Sequence, residues 1–223
     1  MVPVIGEILP LALGIAISPI PIIAAILMLL SPKARTTGLG FLAGWLLGIV
    51  VAVVVFTLLS SALPDEGEDG SKPVAGVIKT VLGVLLLLLA VKQFRSRPHG
   101  DTEPAMPKWM SAIDSMTPVR ALALGFVLSA LNPKNLLMGI GAGVAIGSAG
   151  LTAGEVTGAV AVFTVIAAST VAVPVIGYLA ASARLAGPLE ALRTWLLHNN
   201  ATVMAILLLV IGVVMIGKGI GSF

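Results

Sequence analysis

The sequence contains no cysteine, which excludes disulfide bonds and thiolate metal sites. Charge is scarce as well, since Asp, Glu, Lys and Arg make up 10% of the 223 residues, whereas soluble domains carry about one-quarter. The two histidines, His99 and His198, lie in polar segments, and the basic residues form no patch for nucleic acid. Because the apolar segments offer neither a histidine nor paired acids for catalysis, we expect no enzyme activity and no metal or cofactor.

Apolar residues dominate instead, at 58% of the chain with a mean hydropathy of +1.11. The apolar runs are long enough to cross a membrane as helices, and they lack the two-residue alternation of a β-barrel. The sequence therefore predicts an all-α integral membrane protein with six transmembrane helices, near 4–30, 38–62, 74–94, 120–147, 152–182 and 200–221. Asn199 and Asn200 are expected to cap the last helix.

The distribution of basic residues predicts how these helices are oriented. Most of the 13 Lys and Arg residues lie in or beside three loops, 31–37, 95–119 and 183–199. The positive-inside rule places these loops in the cytoplasm and both termini outside, in a multi-pass membrane protein. Segments 107–116 and 188–197, each with a tryptophan, are typical of helices that lie at the membrane interface.

The two halves of the chain resemble each other in short patterns. Leu-Ala-Leu-Gly occurs at 11–14 and at 122–125, and each half has a ladder of glycines four residues apart. Three spans followed by three spans would make the fourth run opposite to the first. We therefore predict a 3+3 inverted repeat, with residues 1–94 and 120–223 as the repeats and 95–119 as a cytoplasmic linker with an interfacial helix. The alternative is that small residues simply recur in membrane helices. The ladders are Gly40, Gly44 and Gly48, and Gly150, Gly154 and Gly158.

Proline interrupts the first and fourth spans about 14 residues from their starts, near the middle of a hydrocarbon core. The interruptions are Ser18-Pro19-Ile20-Pro21 and Asn132-Pro133-Lys134-Asn135. Proline removes a backbone donor, so we expect the carbonyl four residues earlier to be freed in each case, those of Ile15, Ile17 and Ser129. Broken backbone at this depth is tolerated where it lines a cavity, which predicts two broken helices around a substrate site.

Lys134 is the charged residue at this depth, and no acidic residue is predicted to lie beside it. Its partners would be freed carbonyls, water or a bound anion, and the half-helices that begin at the breaks would point N–H groups at the same anion. The predicted substrate-binding residues are Lys134, Asn132, Pro133, Asn135, Ser18, Pro19 and Pro21. The alternative is a lysine that only satisfies the broken backbone or extends to the headgroups.

Glu155 is a second candidate, for coupling transport to an ion. It closes the pattern Thr152-Ala153-Gly154-Glu155, which equally predicts a capping box at the start of the fifth span. Glu7 and Lys79 are predicted to lie at the membrane interface.

Residues 130–137, which contain Asn-Pro-Lys-Asn, resemble a known family, as do Ser18-Pro19-Ile20-Pro21, Ser31-Pro32-Lys33 and the six-span layout. This is the actinobacterial Gap/Sap family, the glycopeptidolipid- and sulfolipid-addressing proteins of the LysE transporter superfamily. The resemblance implies export of a small molecule or a cell-envelope lipid across the inner membrane.

Two functions therefore stay open. One is a transporter or exporter of a small or amphipathic, anionic substrate, such as a cell-envelope lipid or its precursor, by alternating access around a mid-membrane site. The other is a non-transporting scaffold or accessory subunit of a lipid-export machine, which would associate with lipid-synthesis or export proteins. Membrane lipids are expected partners in both cases, and the glycine ladders would allow a homodimer.

Overall fold

The computed structural model describes residues 1–62, 73–96, 113 and 115–222, and within them the chain forms helices and no strand. Most of segment 107–116, the first predicted interfacial helix, lies outside the described residues. The helices are α1 (Val2–Ala16), α2 (Pro19–Leu29), α3 (Ala34–Ser61), α4 (Pro73–Arg95), α5 (Pro118–Phe126), the π-helical turn Val127–Leu131, α6 (Pro133–Gly147), α7 (Ala153–Ala181) and α8 (Arg184–Ile220).

Four of these helices, α3, α4, α7 and α8, are individually long and apolar enough to cross a membrane. Two further spans are bent pairs: α1 and α2 meet at 50°, and the segment Pro118–Leu131 meets α6 at 61°. The prediction of an all-helical, multi-pass membrane protein is therefore confirmed, with four to six spans by length and composition. The first and fourth spans are broken at the predicted prolines, because α2 and α6 begin at Pro19 and Pro133.

Contacts between helices give their relative directions. The α3 helix runs parallel to the whole fourth span, since Gly40 lies against Pro118 at one end and Thr57 lies against Gly147 at the other. The α1 helix runs parallel to α7, from the Met1–Glu155 contact to the hydrogen bond from Thr170 to Ala16 O. The α1 and α6 helices are antiparallel, since Leu11 contacts Gly141 and Gly14 contacts Met138. The α4 and α8 helices are also antiparallel, since Thr80 contacts Gly219 and Leu87 contacts Gly212. The fourth span thus runs opposite to the first.

Only one of the two predicted glycine ladders is a packing surface. A Cβ atom at Gly40 would lie 2.5 Å from the carbonyl oxygen of Pro118, and Cβ atoms at Gly44 and Gly48 would overlap the fourth span. By contrast, Gly150 and Gly154 have nothing within 4 Å of such an atom, and at Gly158 the nearest atoms belong to the side chain of Met1, 3.8 Å away. The predicted equivalence of the ladders is therefore wrong, because the glycines of the fifth span meet no backbone of a neighbouring helix.

The last helix begins earlier than predicted. Segment 183–199, predicted as a cytoplasmic loop, belongs to α8, whose 37 residues extend roughly 55 Å, well beyond a hydrocarbon core of about 30 Å. Asn199 and Asn200 are therefore not caps, and the Asn199 amide donates to the carbonyl of Trp195 at 2.9 Å. Pro188 is tolerated because it lies one turn from the helix start, where few backbone donors have partners to lose.

Candidate functional site

The first break is made by two prolines at the start of α2. The α1 helix ends at Ala16, Ser18 is extended (φ −106°, ψ 104°), and Pro19 takes the first helical position. We expected the start of α2 to point free N–H groups at an anion. Pro19 and Pro21 have no N–H, so the first turn of α2 presents fewer such donors. The Ser18 side chain makes no capping bond to α2 and is buried, so its hydroxyl is directed to the interior.

At the second break, polar side chains replace the interrupted backbone bonds. The π-helical turn leads into Asn132, which is extended (φ −66°, ψ 123°) and caps α6, its side-chain oxygen accepting from the N–H of Lys134 at 3.1 Å. The Asn135 amide donates to the carbonyl of Leu128 at 2.9 Å. In a π-helix the partner lies five residues away, so Pro133 orphans Leu128 rather than Ser129.

The carbonyls that accept side-chain bonds at the breaks are therefore not the predicted ones. They belong to Gly14, Ala16 and Leu128, instead of Ile15, Ile17 and Ser129. All of the last four carbonyls of a helix lack intrahelical partners, so which of them is used depends on which side chain can reach it.

Lys134 connects the two broken spans. Its side chain is buried, with 6% of the residue exposed, and its Nζ donates to the carbonyl of Gly14 at 2.7 Å. Gly14 lies in the last turn of α1, so the ammonium group sits at the negative end of that helix dipole. Among the described residues no carboxylate forms a salt bridge with Lys134.

A pocket of about 200 Å³ lies against Lys134, and residues from both breaks line it. Its polar lining residues are Ser18, Lys92, Gln93, Asn132, Lys134 and Asn200, and the others are Ile20, Leu89, Pro133, Met204 and Leu208. None of them is acidic. The pocket opens at the basic end of the molecule, where Lys92 is exposed. Three predicted residues, Pro19, Pro21 and Asn135, are buried beside the pocket but do not line it.

Apolar side chains pack on the opposite side of Lys134. Met138 and Ile211 are buried and pack around Gly14. Farther along, toward the start of α1, Lys79 and Glu7 form an ion pair with Nζ 2.6 Å from Oε1. Both were predicted to be interfacial, but Lys79 is buried between helices, since an ion pair lets an ammonium group enter the bundle.

A sequence profile of the family described as Sap, sulfolipid-1-addressing protein (SfLAP), matches residues 8–221. The chain belongs to this family. The Sap-family match starts within α1 and ends after α8, so it contains both breaks and every residue that lines the pocket. No curated protein and no solved structure gives a significant match to this chain.

Glu155 of this Sap-family chain forms the predicted capping box. Its carboxylate accepts from the N–H of Thr152 at 3.0 Å, and the Thr152 hydroxyl accepts from the N–H of Glu155 at 3.4 Å. The carboxylate also lies 3.9 Å from the N-terminal amine and does not line the pocket. The capping prediction is confirmed, and a coupling role stays a prediction.

Three polar residues of the pocket were missed by sequence reasoning. Lys92 and Gln93 lie at the end of the predicted span 74–94 and were given no role in the site, while Asn200 was assigned to a cap. The sequence signal that could have indicated them is the adjacent Lys and Gln in the last turn of a long apolar helix. Their convergence on Lys134 depends on how α4 and α8 pack, which no local pattern specifies.

Proposed function

We propose that this Sap-family protein is an inner-membrane exporter of an anionic, small or amphipathic substrate, such as a cell-envelope lipid or its precursor. The observation that carries the proposal is Lys134, a buried ammonium group whose bond goes to a backbone carbonyl and whose free side is a pocket. A charge inside a membrane protein is costly unless it serves a partner or a pathway. The family description, which names a sulfolipid, supports a lipid substrate.

The charge of the pocket favours an anion. Lys92 and Lys134 both line it and no lining residue is acidic, so a sulfate, phosphate or carboxylate group would complete their electrostatics. Ser18, Gln93 and Asn132 add neutral hydrogen-bonding groups around the same volume. The chemistry is that of binding and release, and no covalent step is part of the proposal.

Access from one side at a time supports an alternating mechanism. The pocket opens at the basic end, which the positive-inside rule assigns to the cytoplasm, while Met138, Ile211 and the Glu7–Lys79 pair close the other end. We infer that this is a cytoplasm-facing state that takes up substrate, with both termini outside. Rotation of one half of the bundle against the other would then open the outer side.

The inverted repeat, with residues 1–94 and 120–223 as its halves, belongs to this proposal. Two correspondences between the halves support it. First, α3 lies along the fourth span as α7 lies along the first. Second, the orphaned carbonyl in each break, that of Gly14 or Leu128, lies five residues before the first proline of that break. A transporter of the LysE superfamily would fit the same architecture, with Lys134 at the interface of its halves.

The test is transport by the purified protein in liposomes. We expect Lys134→Met to insert and fold like the wild type but to lose flux of a fluorescent phosphatidic acid across the bilayer, because the anion loses its counter-charge. Lys33→Met is the matched control, since Lys33 is an exposed lysine at the same end that does not line this pocket. Unchanged flux in folded Lys134→Met would remove Lys134 from the mechanism.

The alternative is the non-transporting scaffold or accessory subunit of a lipid-export machine. A scaffold predicts no flux in liposomes that contain the folded wild type alone, together with a stable copurifying partner. Flux that depends on Lys134 separates the two functions.

A further inference from the structure

The pair formed by α4 and α8 is held close by glycines along one half. A Cβ atom at Gly83 would lie 2.8 Å from the carbonyl oxygen of Gly212, and one at Gly219 would lie 2.8 Å from that of Gly76. No glycine occurs in the facing segments of the other half, 89–95 and 200–209. Side chains therefore separate the two helices there, and a cavity lies on each face of this half.

The first of these cavities is the Lys134 pocket, and the second is a groove on the outer surface. The groove has a volume of about 240 Å³ and is lined by Ala90, Val91, Phe94, Arg95, Ala205, Ile206 and Leu209. Val91, Phe94, Ile206 and Leu209 are each about half exposed, so the groove faces the region that acyl chains occupy in a bilayer. Arg95 supplies its single charge, at the basic end.

Residues that alternate along the same two segments line the two cavities. On α4, Leu89 belongs to the pocket and Ala90 to the groove, and on α8, Met204 belongs to the pocket and Ala205 to the groove. Ala90 and Ala205 are both buried, and neither has a side-chain atom beyond Cβ. The wall between pocket and groove is therefore thin.

We propose that the cleft between α4 and α8 is a lateral entrance for a lipid, whose anionic headgroup occupies the Lys134 pocket while an acyl chain lies in the outer groove. This rests on the proposed function and adds the route by which an acylated anion enters and the places that its headgroup and chain occupy. Pockets for whole small molecules usually measure about 300–1,000 Å³, so a pocket of 200 Å³ suits a headgroup and leaves the chain outside.

The charges of the two cavities and the contact of the groove with the bilayer both favour an anionic lipid. Lys92 and Lys134 in the pocket and Arg95 at the groove attract an acidic headgroup, and the otherwise apolar groove matches a hydrocarbon chain. A lipid that enters between helices keeps its chain in the bilayer while its headgroup reaches the middle of the protein. It thereby avoids the transfer of a whole acyl chain through a polar pocket.

The experiment fills the groove from the lipid side. Ile206→Trp places an indole in the groove at a half-exposed position, so the variant is expected to fold, and Val165→Trp on α7, also exposed, is its matched control. We expect Ile206→Trp to lose most of the flux of fluorescent phosphatidic acid in liposomes and Val165→Trp to retain it. A diazirine-bearing phosphatidic acid should also crosslink wild-type segments 90–95 and 205–209 in preference to α7.

The outcomes separate this inference from the proposed function. Equal flux in the two tryptophan variants, with crosslinks spread over all exposed helices, would overturn the lateral entrance even if Lys134→Met is inactive. Stronger crosslinking of the groove by a zwitterionic lipid with the same chains would also count against an anionic headgroup. Loss of flux in both Lys134→Met and Ile206→Trp, each folded, supports a lipid that uses both cavities.

Discussion

The ion pair between Glu7 and Lys79 allows a quantitative prediction, because its two members differ in burial. The Lys79 side chain is 9% exposed, whereas that of Glu7 is 22% exposed, and their charged atoms are 2.6 Å apart. Removing one partner of a buried pair costs about 3–5 kcal/mol when the other is left uncompensated, while replacing both with apolar or neutral groups is often neutral. We therefore expect the two single variants to be unequal.

Glu7→Gln should be the more damaging change, at about 3 kcal/mol of the free energy of unfolding, since the enclosed ammonium of Lys79 loses its carboxylate. Lys79→Met should cost about 1–2 kcal/mol, because the Glu7 carboxylate is partly solvated and still attracts Lys218. The Nζ of Lys218 lies nearby, 3.4 Å from the carbonyl of Gly6. The double variant should return to within about 1 kcal/mol of the wild type.

The assay is reversible unfolding in mixed micelles, followed by helix content, with the four proteins arranged as a double-mutant cycle. Residues in direct contact give coupling energies of about 0.5–3 kcal/mol. The two single losses sum to about 4–5 kcal/mol and the double variant loses at most about 1 kcal/mol, so the reasoning here requires a coupling energy of at least about 3 kcal/mol, at the top of that range. A coupling energy near zero, or a larger loss in Lys79→Met than in Glu7→Gln, would refute the view that the pair neutralises a buried ammonium group. Lys33→Gln, at an exposed lysine, should leave the unfolding free energy unchanged.

Two further predictions concern stability. Gly44→Ala should destabilise the fold by about 1–3 kcal/mol, because the new Cβ overlaps the backbone of Leu122. Gly158→Ala should be neutral or stabilising by up to about 1 kcal/mol, because alanine has the higher helix propensity. Equal unfolding curves for the two variants would contradict the close-packed ladder. Thr152→Ala should cost about 1 kcal/mol in the same assay, since α7 loses its cap, while lipid flux in liposomes stays at the wild-type level. A folded Thr152→Ala protein without flux would instead point to coupling at this end of α7.

The broken helices were predictable because their cause is local. Proline has no N–H wherever it lies, so Pro19 and Pro133 end one hydrogen-bond ladder and start another in any tertiary context. The capping box at Glu155 is likewise contained in four consecutive residues, and the structure confirms it. The start of α8 was predicted wrongly at residue 200, because polar residues near the membrane edge look like a loop whether or not the helix continues through them.

The partners of charged groups could not be predicted in this way. Lys134 bonds to Gly14, 120 residues away, and which orphaned carbonyl it meets depends on the π-helical turn and on the angle at which α1 and α6 cross. Glu7 and Lys79 looked interfacial because each lies near the end of a span, and only the arrangement of α1 and α4 beside α8 brings them together. The same holds for Lys92, which lies at the end of the predicted span 74–94 and lines the pocket.

The sequence alone specified a helical membrane protein with two interrupted spans and a charge, Lys134, at one interruption. These features follow from hydropathy, from the prolines and from the position of that lysine, because they depend only on neighbouring residues and on the thickness of a bilayer. The position of the pocket, its opening at one end and the thin wall beside it depend on where distant helices touch. Those contacts come from side-chain shape across the bundle, so they emerged only once the helices were packed together.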